Sequence, residues 1–172
     1  YKIFVNINKI KRCFYFNSFF ENDLKNLLAT ITIISIYRNI FKLNKEFFYN
    51  LKAMEGRGDI VKIKLFKKFF YLVDESYNSN PLSLKSALKN LDMISVDNSK
   101  KHLVLGDMLE LGKYSKKMHI DIGKSINKTS LKNVNVIGKH VKWAFKCLNR
   151  SKRGIIIKKK SQIIDLIKNN LN

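Results

Sequence analysis

The chain has 172 residues, with 34 lysines and arginines against 13 aspartates and glutamates, and a formal net charge of +21. Apolar residues make up 45% of it, enough for a hydrophobic core, which excludes a disordered chain. Two cysteines, Cys13 and Cys147, exclude a disulfide-rich fold and favour a reducing compartment. The longest apolar stretch, residues 27–37, is too short to cross a bilayer, so we predict no membrane insertion.

The positive charge by itself suggests a nucleic-acid-binding protein, because surfaces that bind phosphate backbones are rich in lysine. However, isoleucine, asparagine and lysine dominate the composition, and all three have codons rich in A and T. The lysines are also scattered along the chain, as they are on solvated surfaces. We therefore attribute the charge to codon usage and predict no nucleic-acid partner.

The first third of the sequence predicts a small segment of strands and helices. Loosely alternating apolar residues over 1–20 predict one or two strands joined by a polar turn. Helical spacing of apolar residues then predicts a helix over 21–39, capped by Asn22 or Asp23, and a second short helix over 45–52. Glycines at 56 and 58 break the pattern, so we predict a domain boundary between 1–56 and 57–172.

Beyond this boundary, strand-like and helix-like segments alternate. Strands are predicted at 69–73, 103–105, 134–137 and 155–157, with a further strand at 60–64, and helices at 83–91, 115–127, 141–148 and 162–171. Such alternation is typical of an α/β fold with a mostly parallel sheet and crossover helices. Ligand-binding residues of such sheets lie in loops after the carboxyl ends of strands. The loops 74–81 and 106–112, and Gly138, are therefore candidate site segments.

The first of these loops reads Asp74-Glu75-Ser76-Tyr77-Asn78-Ser79-Asn80-Pro81. An aspartate at a strand end can accept hydrogen bonds from a ribose, and asparagine carboxamides can both donate and accept. Pro81 suits the first turn of the following helix. The same residue types also build ordinary turns and helix caps, so a purely structural role stays open.

The second loop reads Gly106-Asp107-Met108-Leu109-Glu110-Leu111-Gly112. Its glycines allow close backbone approach, and Asp107 and Glu110 offer carboxylates near the same sheet edge. A simple strand exit with a hydrophobic plug is the alternative. His119 is predicted on the next helix, where packing or capping is a commoner role for a single histidine than catalysis.

These strings, taken in order, resemble the Mur ligase family. The resemblance rests on Tyr-Asn-x-Asn-Pro at 77–81 and Gly-Asp-Met-x-Glu-Leu-Gly at 106–112, with the glycines at 56 and 58 and with His119 and Gly123. Upstream, Asn26-Leu27-Leu28-Ala29 resembles the family's Asn-x-x-Ala helix, although Asn22 stands where a histidine is frequent. The resemblance covers roughly residues 22–170. It is strongest to the branch that joins D-alanyl-D-alanine to UDP-N-acetylmuramoyl-tripeptide.

The resemblance implies a three-domain enzyme of which this chain holds the last part. Residues 1–56 would be the strand and helix tail of a central P-loop domain, and 57–172 a C-terminal Rossmann-like domain without its last strand. The enzyme would be a cytoplasmic, monomeric ligase of peptidoglycan synthesis that uses ATP and Mg²⁺. It would convert the tripeptide carboxylate into an acyl phosphate, which the amine of D-alanyl-D-alanine then attacks.

The same resemblance assigns roles to individual residues. Arg57 matches an arginine that reaches the nucleotide phosphates, and Asp74 matches an acidic residue near the ribose. Asn78 and Asn80 match positions that line the nucleotide site or the dipeptide site. Six further positions match the substrate or domain-closure loops: Tyr77, Ser79, Pro81, Asp107, Glu110 and His119. The metal ligands and the P-loop would lie outside these 172 residues, and no catalytic residue is assigned.

Two alternatives remain open. One is another Mur-type amide ligase, such as the diaminopimelate-adding enzyme or a folylpolyglutamate synthase relative, although the former usually carries a histidine where Ser79 stands. The other is a free-standing basic Rossmann-like module that binds nucleotides or nucleic acid without catalysis.

Overall fold

The computed structural model describes residues 1–18, 20–51 and 55–170. The chain divides into two compact units, Tyr1–Ala53 and Met54–Asn172. The first unit contains β1 (Lys2–Ile7), β2 (Ile10–Tyr15) and α1 (Glu21–Tyr37). The second contains β3 (Asp59–Leu65), β4 (Lys68–Asp74), α2 (Pro81–Met93), β5 (Leu103–Leu105), α3 (Ser115–Asn127), β6 (Val134–Ile137), α4 (Lys142–Cys147), β7 (Arg153–Ile157) and α5 (Ser161–Asn170).

In the first unit, β1 and β2 form an antiparallel hairpin beside α1. Its two turn residues, Asn8 and Lys9, have φ of 50° and 67°, as a type I′ turn requires. Phe14 on β2 meets the ring of Phe48 edge-on, with 5.0 Å between ring centroids. Seven buried residues form the core of this unit: Val5, Phe14, Phe16, Leu27, Ile31, Ile40 and Phe48.

Two local predictions for this unit are wrong. The cap of α1 is neither Asn22 nor Asp23: the helix begins at Glu21, and the N-cap residue Phe20 has no side-chain acceptor. Residues 45–50 form turns instead of a helix, and a short 3₁₀ helix lies earlier, at Ile40–Lys42. Asn39 and Asn44 explain this, because their side chains accept hydrogen bonds from nearby backbone N–H groups and so compete with helix formation. Lys52, the predicted end of that helix, lies outside the described residues.

In the second unit, β3 and β4 form another antiparallel hairpin. The predicted strand at 69–73 is present, but within the described residues it pairs only with β3 and does not belong to the parallel sheet. The connection explains the difference, because a two-residue turn can join antiparallel strands, whereas parallel strands need a crossover of a dozen or more residues.

The parallel sheet of the second unit has three strands in the order β5–β6–β7. The predicted strands at 103–105 and 134–137 coincide with β5 and β6, while β7 begins two residues before the predicted start. Helix α3 connects β5 to β6, and α4 connects β6 to β7. Their inward residues pack with the strands around Ile122, Val134 and Ala144. The predicted α/β fold is therefore confirmed.

A buried asparagine ties the three parallel strands together. Asn135 on β6 donates from Nδ2 to the backbone oxygens of Leu103 (3.2 Å) and Asn133 (2.9 Å). Its Oδ1 accepts from the N–H of Ile155 at 3.0 Å, at the point where the β6–β7 register shifts. A Cβ on Gly154 would lie 2.2 Å from that oxygen, so the contact requires glycine there.

Two buried lysines lie near the amino ends of the parallel strands. Lys152 Nζ donates to the carbonyls of Thr129 (2.5 Å) and Leu131 (2.9 Å), and Lys101 Nζ donates to the carbonyl of Asp92 (3.0 Å). Burial lowers the pKa of Lys152. Both ammonium groups thus satisfy backbone carbonyls, Lys152 in the loop before β6 and Lys101 in the last turn of α2.

Candidate functional site

The first candidate loop packs against the glycine-flanked arginine. The N–H of Gly58 donates to the carbonyl of Asp74 at 2.7 Å, and the N–H of Tyr77 donates to the carbonyl of Gly56 at 3.1 Å. The guanidinium carbon of Arg57 lies 4.5 Å from the centroid of the Tyr77 ring. The structure therefore brings Arg57, Asp74 and Tyr77 together at the open end of the β3–β4 hairpin.

Gly56 makes this approach possible. Its φ is +72°, and a Cβ there would lie 2.9 Å from the backbone nitrogen of Tyr77, so a larger residue would push the two segments apart. The side chains of Arg57 and Tyr77 are both exposed. The backbone is thus fixed while the charged and aromatic groups remain accessible to a ligand.

The remaining residues of this loop divide between capping and exposed positions. Asn80 Oδ1 accepts from the N–H groups of Leu82 and Ser83, both at 2.9 Å, and Pro81 is the first residue of α2. Asn80 is thus a helix cap, and its oxygen is engaged in that role. Asp74 Oδ1 accepts from the N–H of Ser76 at 2.9 Å. Asn78 is exposed and Ser79 is half-buried.

The second candidate loop is fixed by Asp107. Its carboxylate accepts from the N–H groups of Lys139 (2.9 Å) and Val141 (2.6 Å), which follow the carboxyl end of β6. A Cβ on Gly138, whose φ is +137°, would lie 2.5 Å from Asp107 Oδ1. Burial alone would raise the pKa of Asp107, but the backbone donors at 139–141 outweigh it, and the pKa lies below its ordinary value. Asp107 therefore joins the loops after β5 and β6.

His119 holds the same loop from the other side. It is buried on α3, its Nε2 accepts from the N–H of Met108 at 3.1 Å, and its Nδ1 lies 2.8 Å from the carbonyl oxygen of Ser115. A carbonyl only accepts, so Nδ1 carries the proton and the ring is in one neutral tautomer. These contacts give His119 a role in ordering the loop.

His140 and Trp143 were not identified from the sequence, although they pack beside this loop. The ring of His140 lies 5.0 Å from that of Trp143 and 6.2 Å from that of His119, measured between centroids. Within the described residues, the buried Nδ1 of His140 has no hydrogen-bond partner. The only available signal was the position of His140 directly after Gly138 and Lys139, in a loop after a parallel strand.

The exposed part of the second loop is Leu109-Glu110. Leu109 is 72% exposed, and Glu110 is exposed with a φ of 60°. The Asp107 carboxylate faces backbone N–H groups, so Glu110 is the accessible carboxylate of the loop. Holding Glu110 in the left-handed region of φ costs free energy, and the hydrogen bonds through which Asp107 and His119 hold this loop offset this cost.

Two further properties concern metals and membranes. Among residues 1–18, 20–51 and 55–170, no group of three or more histidines, cysteines, aspartates or glutamates could hold a metal ion. In the same part of the chain, no helix is long and apolar enough to span a bilayer.

Curated relatives of this chain from different bacteria carry the same enzyme name. The Rickettsia prowazekii UDP-N-acetylmuramoyl-tripeptide–D-alanyl-D-alanine ligase is 27% identical over 123 residues, which is 72% of this chain and 26% of that protein. The ligase of the same name from Escherichia coli is 34% identical over 119 residues, which is 69% of this chain and 25% of that protein. The chain therefore spans about a quarter of the length of these relatives.

Solved structures share the fold. A crystal structure of MurF from Acinetobacter baumannii superposes with a TM-score of 0.77 at 19% identity, covering 98% of this chain and 36% of that one. MurF ligase from Thermotoga maritima, in complex with ADP, gives 0.72 at 20% identity, covering 97% and 36%. The family described as "Mur ligase, glutamate ligase domain" matches residues 56–172, which include both candidate loops. The chain thus belongs to the Mur ligase family.

Proposed function

We propose that this chain is the C-terminal part of an ATP-dependent ligase that joins D-alanyl-D-alanine to UDP-N-acetylmuramoyl-tripeptide. The main support is that relatives carrying that activity in their names match 69–72% of the chain at 27–34% identity. The whole enzyme would act as a monomer in the cytoplasm, in the synthesis of peptidoglycan precursors and hence in cell shape and division.

In the proposed reaction, ATP phosphorylates the terminal carboxylate of the tripeptide, and the resulting acyl phosphate is attacked by the amine of D-alanyl-D-alanine. A carbon–nitrogen bond forms, the carbon–oxygen bond to phosphate breaks, and inorganic phosphate leaves. Such catalysis depends on holding the reactants in place and on neutralising phosphate charge. Mg²⁺ would help neutralise that charge, but the described residues offer no cluster that would hold it.

Within this scheme, Arg57 binds the nucleotide phosphates. A guanidinium offers two parallel N–H donors to phosphate oxygens, and stacking on Tyr77 at 4.5 Å limits the side chain's freedom before the ligand arrives. The carbonyl of Asp74 accepts a hydrogen bond from the N–H of Gly58, next to Arg57, and its carboxylate accepts hydrogen bonds from the ribose hydroxyls. Asn78 and Asn80 line the nucleotide site through their carboxamides; because Asn80 Oδ1 caps α2, its Nδ2 would make the ligand contact.

The second loop contacts the substrate or closes the site. Asp107 and His119 are positioning residues, because both bind backbone groups of the loops they join. Leu109 and Glu110 are the accessible groups, and Glu110 would attract the ammonium of the incoming dipeptide.

The test is a chimera in which residues 1–172 replace the matching part of the E. coli relative. We expect phosphate release that requires ATP, the tripeptide substrate and D-alanyl-D-alanine together. Arg57→Ala should lower the rate by about 100-fold, as loss of one charge-assisted contact to a transferring phosphoryl group does. Arg150→Ala, at another exposed arginine, is the matched control and should leave the rate unchanged.

A chimera that is folded by circular dichroism and binds ATP, yet releases no phosphate with all three substrates present, would contradict the proposed function. Release that follows diaminopimelate in place of D-alanyl-D-alanine would favour the other branch of the family. An active chimera with equal rates for Arg57→Ala and Arg150→Ala would contradict the role of Arg57 alone.

A further inference from the structure

One face of the β3–β4 hairpin consists of lysines and exposed aromatic rings. Lys62 stands directly opposite Tyr71, and Lys64 directly opposite Phe69, so the four side chains lie on the same face. Phe69 is 55% exposed and Tyr71 is 68% exposed. We call these four residues the hairpin face.

The ammonium groups of the hairpin face lie against its rings. Lys62 Nζ is 4.5 Å from the centroid of Phe69 and 6.0 Å from that of Tyr71, and Lys64 Nζ is 5.6 Å from that of Phe69. Between residues 60 and 73 the sequence has four lysines and no acidic residue. Among the described residues, neither lysine of this face forms a salt bridge, so the face offers positive charge and aromatic surface together.

The two turn residues at the tip of the hairpin extend this surface, although their backbone conformation is energetically unfavourable for them. Phe66 and Lys67 have φ of 50° and 63°, although asparagine and glycine adopt these angles far more readily. Phe66 is 48% exposed, and Lys168 Nζ on α5 lies 5.7 Å from its ring. A bulky aromatic residue is thus kept exposed at a position where the turn itself disfavours it.

We propose that the hairpin face binds single-stranded nucleic acid. Proteins that bind single strands combine lysines, which follow the phosphates, with aromatic rings on which bases stack. Phe69 and Tyr71 are two residues apart on one strand, which separates them by about 6.7 Å and lets each ring meet a different base. Double-stranded nucleic acid fits less well, because its base faces are covered by their neighbours.

This inference revises the expectation of no nucleic-acid partner that the composition gave. Codon usage accounts for the number of lysines, but it does not account for lysines that stand opposite aromatic residues on one face. The inference is independent of the proposed ligase function.

The test measures binding of the 172-residue chain to fluorescent oligothymidylate by anisotropy. We expect Phe69→Leu with Tyr71→Leu to weaken binding by at least about 30-fold, because the loss of each stacked base costs about 5- to 150-fold in affinity. An abasic oligomer of the same length, which carries phosphates without bases, should be insensitive to this double change. Tyr71→Phe keeps the ring and should bind as the original chain does.

The matched control is another exposed lysine–aromatic pair outside the hairpin. Lys113 Nζ lies 5.3 Å from the ring of Tyr114, and both residues are exposed. Lys113→Gln with Tyr114→Leu should change the affinity less than twofold, whereas Lys62→Gln with Lys64→Gln should weaken binding and flatten its salt dependence.

Several results would overturn the proposal. Full affinity of Phe69→Leu with Tyr71→Leu would show that net charge alone attracts the strand, and a loss for Lys113→Gln with Tyr114→Leu as large as that for Lys62→Gln with Lys64→Gln would show that binding is not confined to the hairpin face. Equal affinity for abasic and thymidine oligomers would exclude stacking. Binding to phosphatidylserine vesicles that depends on the hairpin face, with no binding to oligothymidylate, would assign the face to a membrane. Circular dichroism of each variant checks that folding is unchanged; if the leucine variants unfold, the affinities of the unaltered chain for the abasic and thymidine oligomers decide whether bases stack.

Discussion

Single polar side chains connect backbone segments that are distant in the sequence. Asn135 bridges β5, β6 and β7 through three hydrogen bonds, and Asp107 joins the loop after β5 to the loop after β6. In both cases the neighbouring glycine, Gly154 or Gly138, leaves the space that the polar group occupies. The parallel sheet and the second candidate loop therefore depend on a few side chains that bind backbone.

The first prediction concerns Asn135. Asn135→Val should destabilise the second unit by about 2–4 kcal/mol, because it removes the side-chain partner of the Ile155 N–H and of the Leu103 carbonyl from a half-buried part of the sheet. Urea unfolding followed by fluorescence of Trp143, the single tryptophan, measures this. Asn6→Val, at an exposed strand position of the first unit, is the control. Equal midpoints for the two variants would contradict the bridging role.

The second prediction concerns the pH dependence of stability through Asp107. Its folded-state pKa lies below the ordinary value of 3.8, so its contribution is fully present above that pH and is lost as the pH falls through the lowered pKa. Asp107→Asn should be less stable than the original chain by about 1–2 kcal/mol near neutrality, because it loses charge-assisted hydrogen bonds. The difference should shrink in acid. A difference that stays constant from neutral to acidic pH would show that the charge is not involved.

The contacts of a single residue could be predicted from the sequence when the residue that it binds is close along the chain, and could not when that residue is distant. Pro81 lies in the first turn of α2 as predicted, and Asn80 caps that helix through residues two and three positions ahead. The partners of Asp107 lie 32 and 34 residues away, so no spacing in the sequence indicates that its carboxylate faces backbone groups. The contacts of His119 with His140 and Trp143 are hidden for a similar reason, because these residues are also far apart along the chain.

At the scale of elements, both hairpins turn through two residues at positive φ. Asn8 suits this conformation, whereas Lys9, Phe66 and Lys67 have a Cβ that disfavours it. Element types were predicted well where the apolar period was clear, as for α3 over 115–127 and for β5 and β6. The parallel pairing of 69–73 was wrong, because a strand's apolar run does not reveal whether its partner is parallel or antiparallel.

The third prediction concerns the turn at the tip of the β3–β4 hairpin. Phe66→Asn with Lys67→Gly should stabilise the hairpin by about 1 kcal/mol, since these residues adopt the type I′ angles with less strain. Slower amide hydrogen exchange along β3 and β4 measures the gain. Phe66→Ala with Lys67→Ala removes the same side chains without relieving the strain and is the control. Faster exchange in the Asn–Gly variant would contradict the assigned turn.

At the scale of the whole molecule, the chain is two compact units that match about a quarter of the length of its relatives. The two loop motifs that suggested the family from the sequence, at 77–81 and 106–112, lie in the region that the family match covers, 56–172, whereas the upstream string at 26–29 lies outside it. Family membership was predictable because it depends on ordered strings of residues. The positions of the two lysine–aromatic hairpin pairs were not, because they depend on strand register.

The fourth prediction follows from the chemistry that these 172 residues contain. They include no Gly-x-x-x-x-Gly-Lys-Ser/Thr loop to hold the β- and γ-phosphates of ATP. We expect the 172-residue chain alone to release no phosphate from ATP in the presence of both substrates, while the full-length E. coli relative does so under the same conditions. Release by the chain that depends on D-alanyl-D-alanine would contradict this.

The two lysines buried near the amino ends of the parallel strands can report when the second unit opens, because a lysine side chain reacts with amine reagents only when it is exposed. Reagents that acylate primary amines modify exposed lysines rapidly, and most lysines of this chain are exposed. Lys101 and Lys152 are buried and bound to carbonyls, so they become reactive only when the second unit opens. Mass spectrometry of acylated peptides would then report the opening rate of the sheet, with the exposed lysines as an internal standard.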